Sequence, residues 1–197
     1  MTTIAPSPAT PTRRSTVRTI ARWMISFAGF PLGGLAAIIL TGPVDSTTSA
    51  IAGGLVTGVV LGAVQAWAMR ADRRLFAAWA LATALGLAAG LAIGASLVSF
   101  STGLGDLAIQ GAISGLAVGL AQAIPLVSRI GPVALAWPVY LAGAWAAGWV
   151  VSTLIGVQVS ERFTVFGAAG AVTVALLTAV LPVFLQIRHA NRDESPS

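Results

Sequence analysis

Apolar residues along this chain form six long runs, and the charged residues collect between them. The runs cover residues 23–41, 49–69, 76–99, 107–127, 133–156 and 164–187, each with 19 to 24 residues and no charged side chain. About 20 helical residues cross the ~30 Å hydrocarbon core of a bilayer. Backbone groups in lipid must be hydrogen-bonded within their own segment, and these runs lack the alternating polarity of barrel strands. The pattern predicts an all-α membrane protein with six transmembrane helices.

The arginines at the ends of these runs predict their orientation. The chain has no lysine, so all eleven of its basic residues are arginines. If every run crosses the bilayer, ten of the eleven arginines face one side and only Arg162 faces the other. Positively charged loops stay on the cytoplasmic side. We therefore expect both termini in the cytoplasm, in the cytoplasmic (inner) membrane of a bacterium, since the richness in Ala, Gly and Arg is typical of GC-rich bacterial genomes.

The six runs, taken in pairs, form three helical hairpins over residues 21–70, 77–129 and 135–188. Each hairpin opens with a tryptophan near the cytoplasmic interface, and its second helix ends in an arginine. Every hairpin starts and ends on the same side, so the repeats are parallel and their axis follows the membrane normal. Three such hairpins predict an approximate threefold arrangement. The opening tryptophans are Trp23, Trp79 and Trp137.

The membrane domain is expected to span residues 20–188, between two cytoplasmic tails. Residues 1–19 are rich in Thr, Ser and Pro, carry arginines and show no apolar period, so they predict a disordered basic tail. Residues 189–197 form the second tail. Asp45, Asp106 and Glu161 stand before the second helix of their hairpins, where an acid is expected to cap free backbone N–H groups.

Glycines four residues apart recur at matching places in the predicted hairpins. Such small residues let helix backbones approach closely, and van der Waals packing drives helix association inside lipid. We expect these glycines to pack the hairpins against each other, with a face for a partner subunit as the alternative. The candidate packing positions are Gly58, Gly62, Gly115, Gly119, Gly86, Gly90 and Gly94.

Gln65 and Gln122 are the most polar residues well inside the predicted spans, each three residues after the second glycine of its pair. A buried amide needs hydrogen-bonding partners, so one interpretation is that they fix helix packing. The other is that they line a polar cavity open to the cytoplasm, which Gln110, Ser114 and Thr57 would extend.

Several kinds of chemistry lack the residues they need. Cysteine is absent, which excludes thiolate nucleophiles and disulfides, and the one histidine, His189, lies in the C-terminal tail. No carboxylate lies within an apolar run, so a proton or sodium relay has no carrier. We expect no enzymatic activity, no cofactor and no metal site. Arginines at the ends of apolar runs are explained by topology, so nucleic acid is not an expected partner.

A leading Trp, spaced glycines and a GxxxGxxQ helix ending in Arg make this chain resemble small repeat-built membrane proteins of bacterial genomes. The likeness covers the first two hairpins and only weakly the third, where no glutamine stands at the matching place. The six predicted spans and cytoplasmic termini are also similar, in general plan, to the substrate-binding subunits of energy-coupling-factor vitamin transporters. No activity follows from either resemblance.

Two functions are compatible with the sequence. The first is a non-catalytic membrane subunit whose partners are the lipid bilayer and another membrane subunit or a copy of itself. The second is a carrier, or a transporter component, for a neutral or apolar small molecule, with Gln65 and Gln122 in its cavity. A dry, closed centre would favour the first function, and a polar vestibule reaching both glutamines would favour the second.

Overall fold

The described residues of the computed structural model, 13–156 and 167–193, fold into helices and the turns that join them. The composition differs from that of a soluble domain, because 56% of the residues are hydrophobic and 9% are charged, against about 25% charged in soluble domains. The helices are α1 (Arg13–Ile25), α2 (Gly29–Thr41), α3 (Thr47–Ala68), α4 (Arg73–Leu97), α5 (Leu104–Ile130), α6 (Trp137–Leu154), α7 (Ala168–Thr178) and α8 (Val180–Asp193).

Within the described residues, five helical stretches are long and apolar enough to cross a bilayer. This confirms the prediction of a helical chain with several helices that could span a membrane, although the described part of the chain has five such stretches where the sequence predicted six. The stretches are Arg13–Thr41, Thr47–Ala68, Arg73–Leu97, Leu104–Leu154 and Ala168–Arg188. The fourth has 51 residues because a 3₁₀ turn, Gly131–Ala136, joins α5 to α6 without a break in helical structure.

Helices α5 and α6 pack side by side in opposite directions. Gly111, early in α5, contacts Trp149 late in α6, whereas Gly119 further along α5 contacts Pro138 at the start of α6. The chain reverses at Gly131, whose φ of +70° lies in the left-handed region that glycine adopts without steric cost. The predicted runs 107–127 and 133–156 thus correspond to two antiparallel helices within one continuous stretch.

Two proline positions explain local irregularities. Proline cannot donate a backbone hydrogen bond, and its ring clashes with the carbonyl four residues earlier. Pro31 is preceded by a 3₁₀ turn, Ser26–Ala28, between α1 and α2, and Pro182 by the junction of α7 and α8 at Ala179. At both sites the α-helix is briefly interrupted within one longer helical stretch.

The first helix begins earlier than the sequence predicted. Residues 13–19 form the first half of α1, although they lack an apolar period and were predicted to be disordered. Their order comes from tertiary contacts, since Gln186 of α8 accepts a hydrogen bond from Thr19 at 2.7 Å and donates one to Ser15 at 2.9 Å. Residues 1–12 lie outside the described residues, and at the other end α8 continues through residues 189–193.

Helix caps also differ from the sequence expectation. Ser46, not Asp45, is the N-cap of α3, and it forms a reciprocal capping box with Ser49. Gly103 is the N-cap of α5, and Asp106 lies in its first turn, where it accepts a hydrogen bond from Ser101. A hydroxyl reaches the free N–H groups as well as a carboxylate does, so sequence alone does not decide between them. Glu161 lies outside the described residues.

Candidate functional site

Two glutamine–tryptophan hydrogen bonds join consecutive helices in the core. The indole Nε1 of Trp79 in α4 donates to Gln65 Oε1 in α3 at 3.1 Å, and Trp137 Nε1 in α6 donates to Gln122 Oε1 in α5 at 2.9 Å. All four residues are buried, with exposed fractions between 0% and 8%. The glutamines predicted to line a cavity are thus bonded to the tryptophans that open the next predicted hairpins.

Thr83 connects these two pairs into one network across four helices. Gln122 Nε2 donates to the hydroxyl of Thr83 at 2.9 Å, and that hydroxyl donates to the carbonyl of Trp79 at 2.8 Å. Both polar atoms of the Gln122 amide therefore have partners. Thr83 itself is fully buried, so the network lies inside the protein and not on a wetted surface.

A related contact closes the bundle between its first and last parts. Trp23 Nε1 in α1 lies 3.1 Å from both the carbonyl of Ala175 and the hydroxyl of Thr178 in α7. Thr178 also donates to the carbonyl of Val174, so its oxygen is free to accept from the indole. In this third tryptophan contact the acceptor side chain is a threonine, where the other two contacts have a glutamine.

The signal for Thr178 is present in the sequence but was overlooked. Ala171, Ala175 and Thr178 have the spacing of Gly58, Gly62 and Gln65, with alanine in place of glycine. A pattern defined by glutamine does not include Thr178, although the position needs only an acceptor for an indole N–H, which a hydroxyl also provides. Thr83 carries no such repeated signal.

The other predicted lining residues lie in helix contacts. Gln110 and Ser114 are 2% and 1% exposed, and Gln110 Nε2 donates to Ser114 Oγ at 2.8 Å. The Oε1 atom of Gln110 is buried without a donor among the described residues. Thr57 is half-buried and donates to the carbonyl of Gly33 at 3.2 Å.

Nine glycines on three helices face the backbone of the next helix. A Cβ atom added at Gly86 would lie 2.6 Å from the Cα of Val118, and one at Gly119 would lie 2.5 Å from the Cα of Pro138. Real Cβ atoms do not approach so closely, so these positions require glycine. Contacts of this type join α3 to α4 at Gly54, Gly58 and Gly62, α4 to α5 at Gly86, Gly90 and Gly94, and α5 to α6 at Gly111, Gly115 and Gly119.

A cavity of about 970 Å³ opens at one end of the bundle, between α1, the α3–α4 turn, the end of α5 and α8. We call it the arginine vestibule, because five arginines and one acid line it. Its apolar wall is formed by Ala68, Met69, Leu75, Pro182 and Leu185. The charged lining residues are Arg14, Arg18, Arg22, Arg70, Arg129 and Asp72. Neither Gln65 nor Gln122 lines it.

Asp72 is the acid of the vestibule. Its carboxylate caps α4 by accepting from the backbone N–H of Leu75 at 2.9 Å and pairs with Arg129 at 2.6 Å. The Leu75 N–H and then the Arg129 guanidinium stabilise the charged form, so the pKa of Asp72 lies below its ordinary value of 3.8. Asp72–Arg129 is the one ion pair that the structure shows within residues 13–156 and 167–193. The sequence pattern does not predict this pair, because Asp72 caps the start of α4 and Arg129 lies in the last turn of α5, 57 residues further along the chain.

The Arg22 side chain and the Arg70 backbone N–H both donate to the carbonyl of Trp67 at the end of α3. Arg22 donates to the carbonyl of Trp67 at 3.0 Å and lies over the Trp67 ring at 4.4 Å, while its buried Nε has no partner among the described residues. The α3 helix ends in a Schellman pattern, with Ala71 N–H bonded to Ala66 and Arg70 N–H bonded to Trp67. Arg70 has φ +58° at the position where glycine is usual.

Comparison of the chain with family models, with curated proteins and with solved structures finds no match.

Proposed function

We propose that this chain is a non-catalytic, six-span protein of a bacterial cytoplasmic membrane, with both termini in the cytoplasm, that acts as a packing or partner subunit. Its three hairpins, 21–70, 77–129 and 135–188, are parallel repeats in an approximate threefold arrangement. The observation that carries the proposal is the use of the core polar groups: they hold helices together.

The hydrogen bonds of the three tryptophans support the repeat. Trp79 bonds the second helix of hairpin one, Trp137 that of hairpin two, and Trp23 that of hairpin three. Each hairpin is thereby joined to the next one, and the third returns to the first. Such a cyclic set of contacts is what three equivalent units around one axis produce.

The glycine contacts and the centre of the bundle support a packing role. Successive helices from α3 to α6 meet at glycines, and Phe30 of α2 contacts Trp145 of α6 edge to face, with ring centroids 5.4 Å apart. Small residues allow this close approach, and dispersion over many atom pairs stabilises it in lipid. A carrier would need a polar path to the glutamines, and both of their carbonyl oxygens already accept indole N–H groups.

The placement of the arginines supports the orientation. Arg18, Arg70 and Arg129 come from three separate parts of the chain and line the same vestibule, so they lie at one end of the bundle. The positive-inside rule assigns this end to the cytoplasm. A hydrogen bond of 3.2 Å between the hydroxyls of Thr47 and Ser96 joins α3 to α4 near their other ends.

Single cysteines test the six-span topology, because the chain has no cysteine of its own. Arg73→Cys and Ser128→Cys should react with a membrane-impermeant maleimide from the cytoplasmic side, and Ser101→Cys from the opposite side. Labelling of Arg73→Cys and Ser128→Cys from opposite sides would refute the parallel hairpins.

Purification tests the subunit role. The full-length chain, extracted in mild detergent, is expected to migrate as an assembly with copies of itself or with a stoichiometric membrane partner, measured by native mass spectrometry against its 19.9 kDa mass. A lone monomer under all mild conditions would contradict the proposal. The double variant Gln65→Leu and Gln122→Leu separates the alternative function, since loss of solute uptake with an intact assembly would identify a carrier.

A further inference from the structure

Topology explains why arginines gather on the cytoplasmic side, but it does not explain why they converge on one cavity. Five of them line the arginine vestibule, and Asp72, the one acid there, is already paired with Arg129. None of the other four arginines forms an ion pair with a carboxylate among the described residues, although Arg22 donates to the carbonyl of Trp67. Like charges around a concave surface focus a positive potential within it. An anion in the vestibule would lower this repulsion.

The arrangement of the arginines fits a bound oxyanion. Arg14, Arg18 and Arg22 are four residues apart, so they lie on one face of α1 and point toward the same space. Arg70 comes from the α3–α4 turn and holds a left-handed backbone conformation that glycine would adopt more easily. Guanidinium groups are the preferred partners of phosphate oxygens, which they bind with paired N–H donors.

The remaining lining fits an amphipathic ligand. Besides the arginines, the lining contains the apolar residues Ala68, Met69, Leu75, Pro182 and Leu185 and the polar residues Ser15, Thr19 and Gln186. Trp67, beside the vestibule, is 47% exposed, as tryptophans at the membrane–water interface commonly are. A volume of about 970 Å³ lies at the upper end of the range of small-molecule sites. A lining that combines arginines with apolar side chains matches a lipid at the level of its headgroup.

We propose that the arginine vestibule binds the phosphate group of an anionic phospholipid, with the start of its acyl chains against the apolar wall. Basic pockets between membrane helices on the cytoplasmic side bind anionic headgroups in this way. The chemistry recognised is a phosphate oxyanion, which a soluble phosphate ester also carries. The proposal does not depend on a subunit role, because binding in detergent requires only the folded chain.

The test uses the purified full-length protein in a non-ionic detergent and three probes in a calorimetric titration. These are short-chain phosphatidylglycerol, short-chain phosphatidylcholine and glycerol 3-phosphate. Phosphatidylglycerol is expected to bind at least about tenfold more tightly than phosphatidylcholine, and its affinity should fall as salt is raised. Equal affinity for the two lipids would overturn the proposal.

Two matched double variants locate the site. Arg14→Gln with Arg18→Gln removes two vestibule charges on exposed turns of α1 and should weaken phosphatidylglycerol binding roughly tenfold or more. Arg73→Gln with Arg74→Gln removes the same charge from residues outside the vestibule and should change binding less than about twofold. Equal losses in both variants would show a general charge effect and overturn the site.

The soluble probe distinguishes the source of the phosphate. If glycerol 3-phosphate binds as tightly as phosphatidylglycerol and shows the same dependence on Arg14 and Arg18, the site stands and the lipid assignment is overturned. Should the α1 variant fail to fold, Arg70→Gly provides the vestibule variant, since glycine suits its backbone conformation. Unchanged phosphatidylglycerol binding in a folded Arg70→Gly protein would also overturn the site.

Discussion

The indole nitrogen of Trp23 lies 3.1 Å from the hydroxyl of Thr178, a residue 155 positions further along the chain. This contact joins α1 to α7 and brings the first and last parts of the described bundle together. It occupies the place that glutamine–tryptophan bonds hold between α3 and α4 and between α5 and α6. The three tryptophan bonds therefore form one series, in which this bond joins the first described helix to α7.

Gln122 is expected to contribute more to stability than Gln110, although both are buried glutamines of α5. Gln122→Leu leaves the Trp137 indole without its acceptor and Thr83 without a donor, which should lower the free energy of unfolding by about 1–3 kcal/mol. Gln110→Leu removes one hydrogen bond but also a buried Oε1 that has no partner among the described residues, so its effect should be close to zero.

Unfolding of both glutamine variants in mixed micelles by added sodium dodecyl sulfate measures the difference. A loss in Gln110→Leu as large as that in Gln122→Leu would contradict the network. Combining Gln122→Leu with Trp137→Phe should cost less than the sum of the single variants, because both remove the same hydrogen bond.

Gly86 is expected to tolerate no side chain. A methyl group there would lie 2.6 Å from the Cα of Val118 and 3.0 Å from the carbonyl oxygen of Ala117, so α4 and α5 must separate. Gly86→Ala should destabilise the protein by about 1–3 kcal/mol through overpacking. Apparent melting temperature in detergent provides the measurement.

Gly143 is the matched control for Gly86. It lies in α6 with nothing within 4 Å of an added Cβ atom, so Gly143→Ala meets open space. Alanine is favoured over glycine inside a helix by about 1 kcal/mol, and this variant should be as stable as the parent or more so. Similar destabilisation by the two substitutions would argue against glycine-mediated packing of α4 on α5.

Asp72 is expected to make the end of the bundle that holds the arginine vestibule sensitive to acid. Its folded-state pKa lies below 3.8 because the Leu75 N–H and the Arg129 guanidinium favour the carboxylate. A depressed pKa contributes stability that is present above 3.8 and is lost as pH falls through the lower folded value. The stability gap between the parent and Asp72→Asn should therefore shrink when the pH is lowered below 3.8.

Thermal unfolding of parent and Asp72→Asn protein at neutral pH and at pH values below 3.8 checks this expectation. Arg129→Gln serves as the control, because it removes one of the two main groups that lower the pKa of Asp72. In an Arg129→Gln background, the effect of Asp72→Asn on stability at neutral pH should therefore be smaller. A gap of constant size across the pH range would show that the Asp72 carboxylate gains nothing from the folded state.

Arg70 lines the arginine vestibule, and its backbone conformation is expected to lower the stability of the protein slightly. Arg70→Gly should leave the free energy of unfolding unchanged or raise it by up to about 1 kcal/mol, because glycine accepts a φ of +58° without strain. Arg70→Ala removes the same side chain but keeps the strain, so it should be less stable than Arg70→Gly. The two variants, compared by detergent unfolding, separate backbone cost from charge; greater stability of Arg70→Ala would contradict the assignment.

The sequence by itself determined that this chain is helical and that its helices are long and apolar enough to span a membrane. Uncharged runs of 19 to 24 residues leave a backbone in lipid no other way to satisfy its hydrogen bonds, and this requirement is local to each run. The positions of Trp79, Trp137, Gln65 and Gln122 were also visible as a repeated pattern, although their pairing was not. Periodicity fixes neither the rotation of a helix nor the neighbour that it faces.

Only the tertiary structure decided which polar groups meet. Thr178 became the partner of Trp23, and Asp72 the partner of Arg129, through the packing of helices distant in sequence. The same holds for α1, whose first turns carry no apolar period and are ordered by Gln186 of α8. The arginine vestibule exists because four separate segments end at one level, a property of the assembled bundle that no single stretch of the chain encodes.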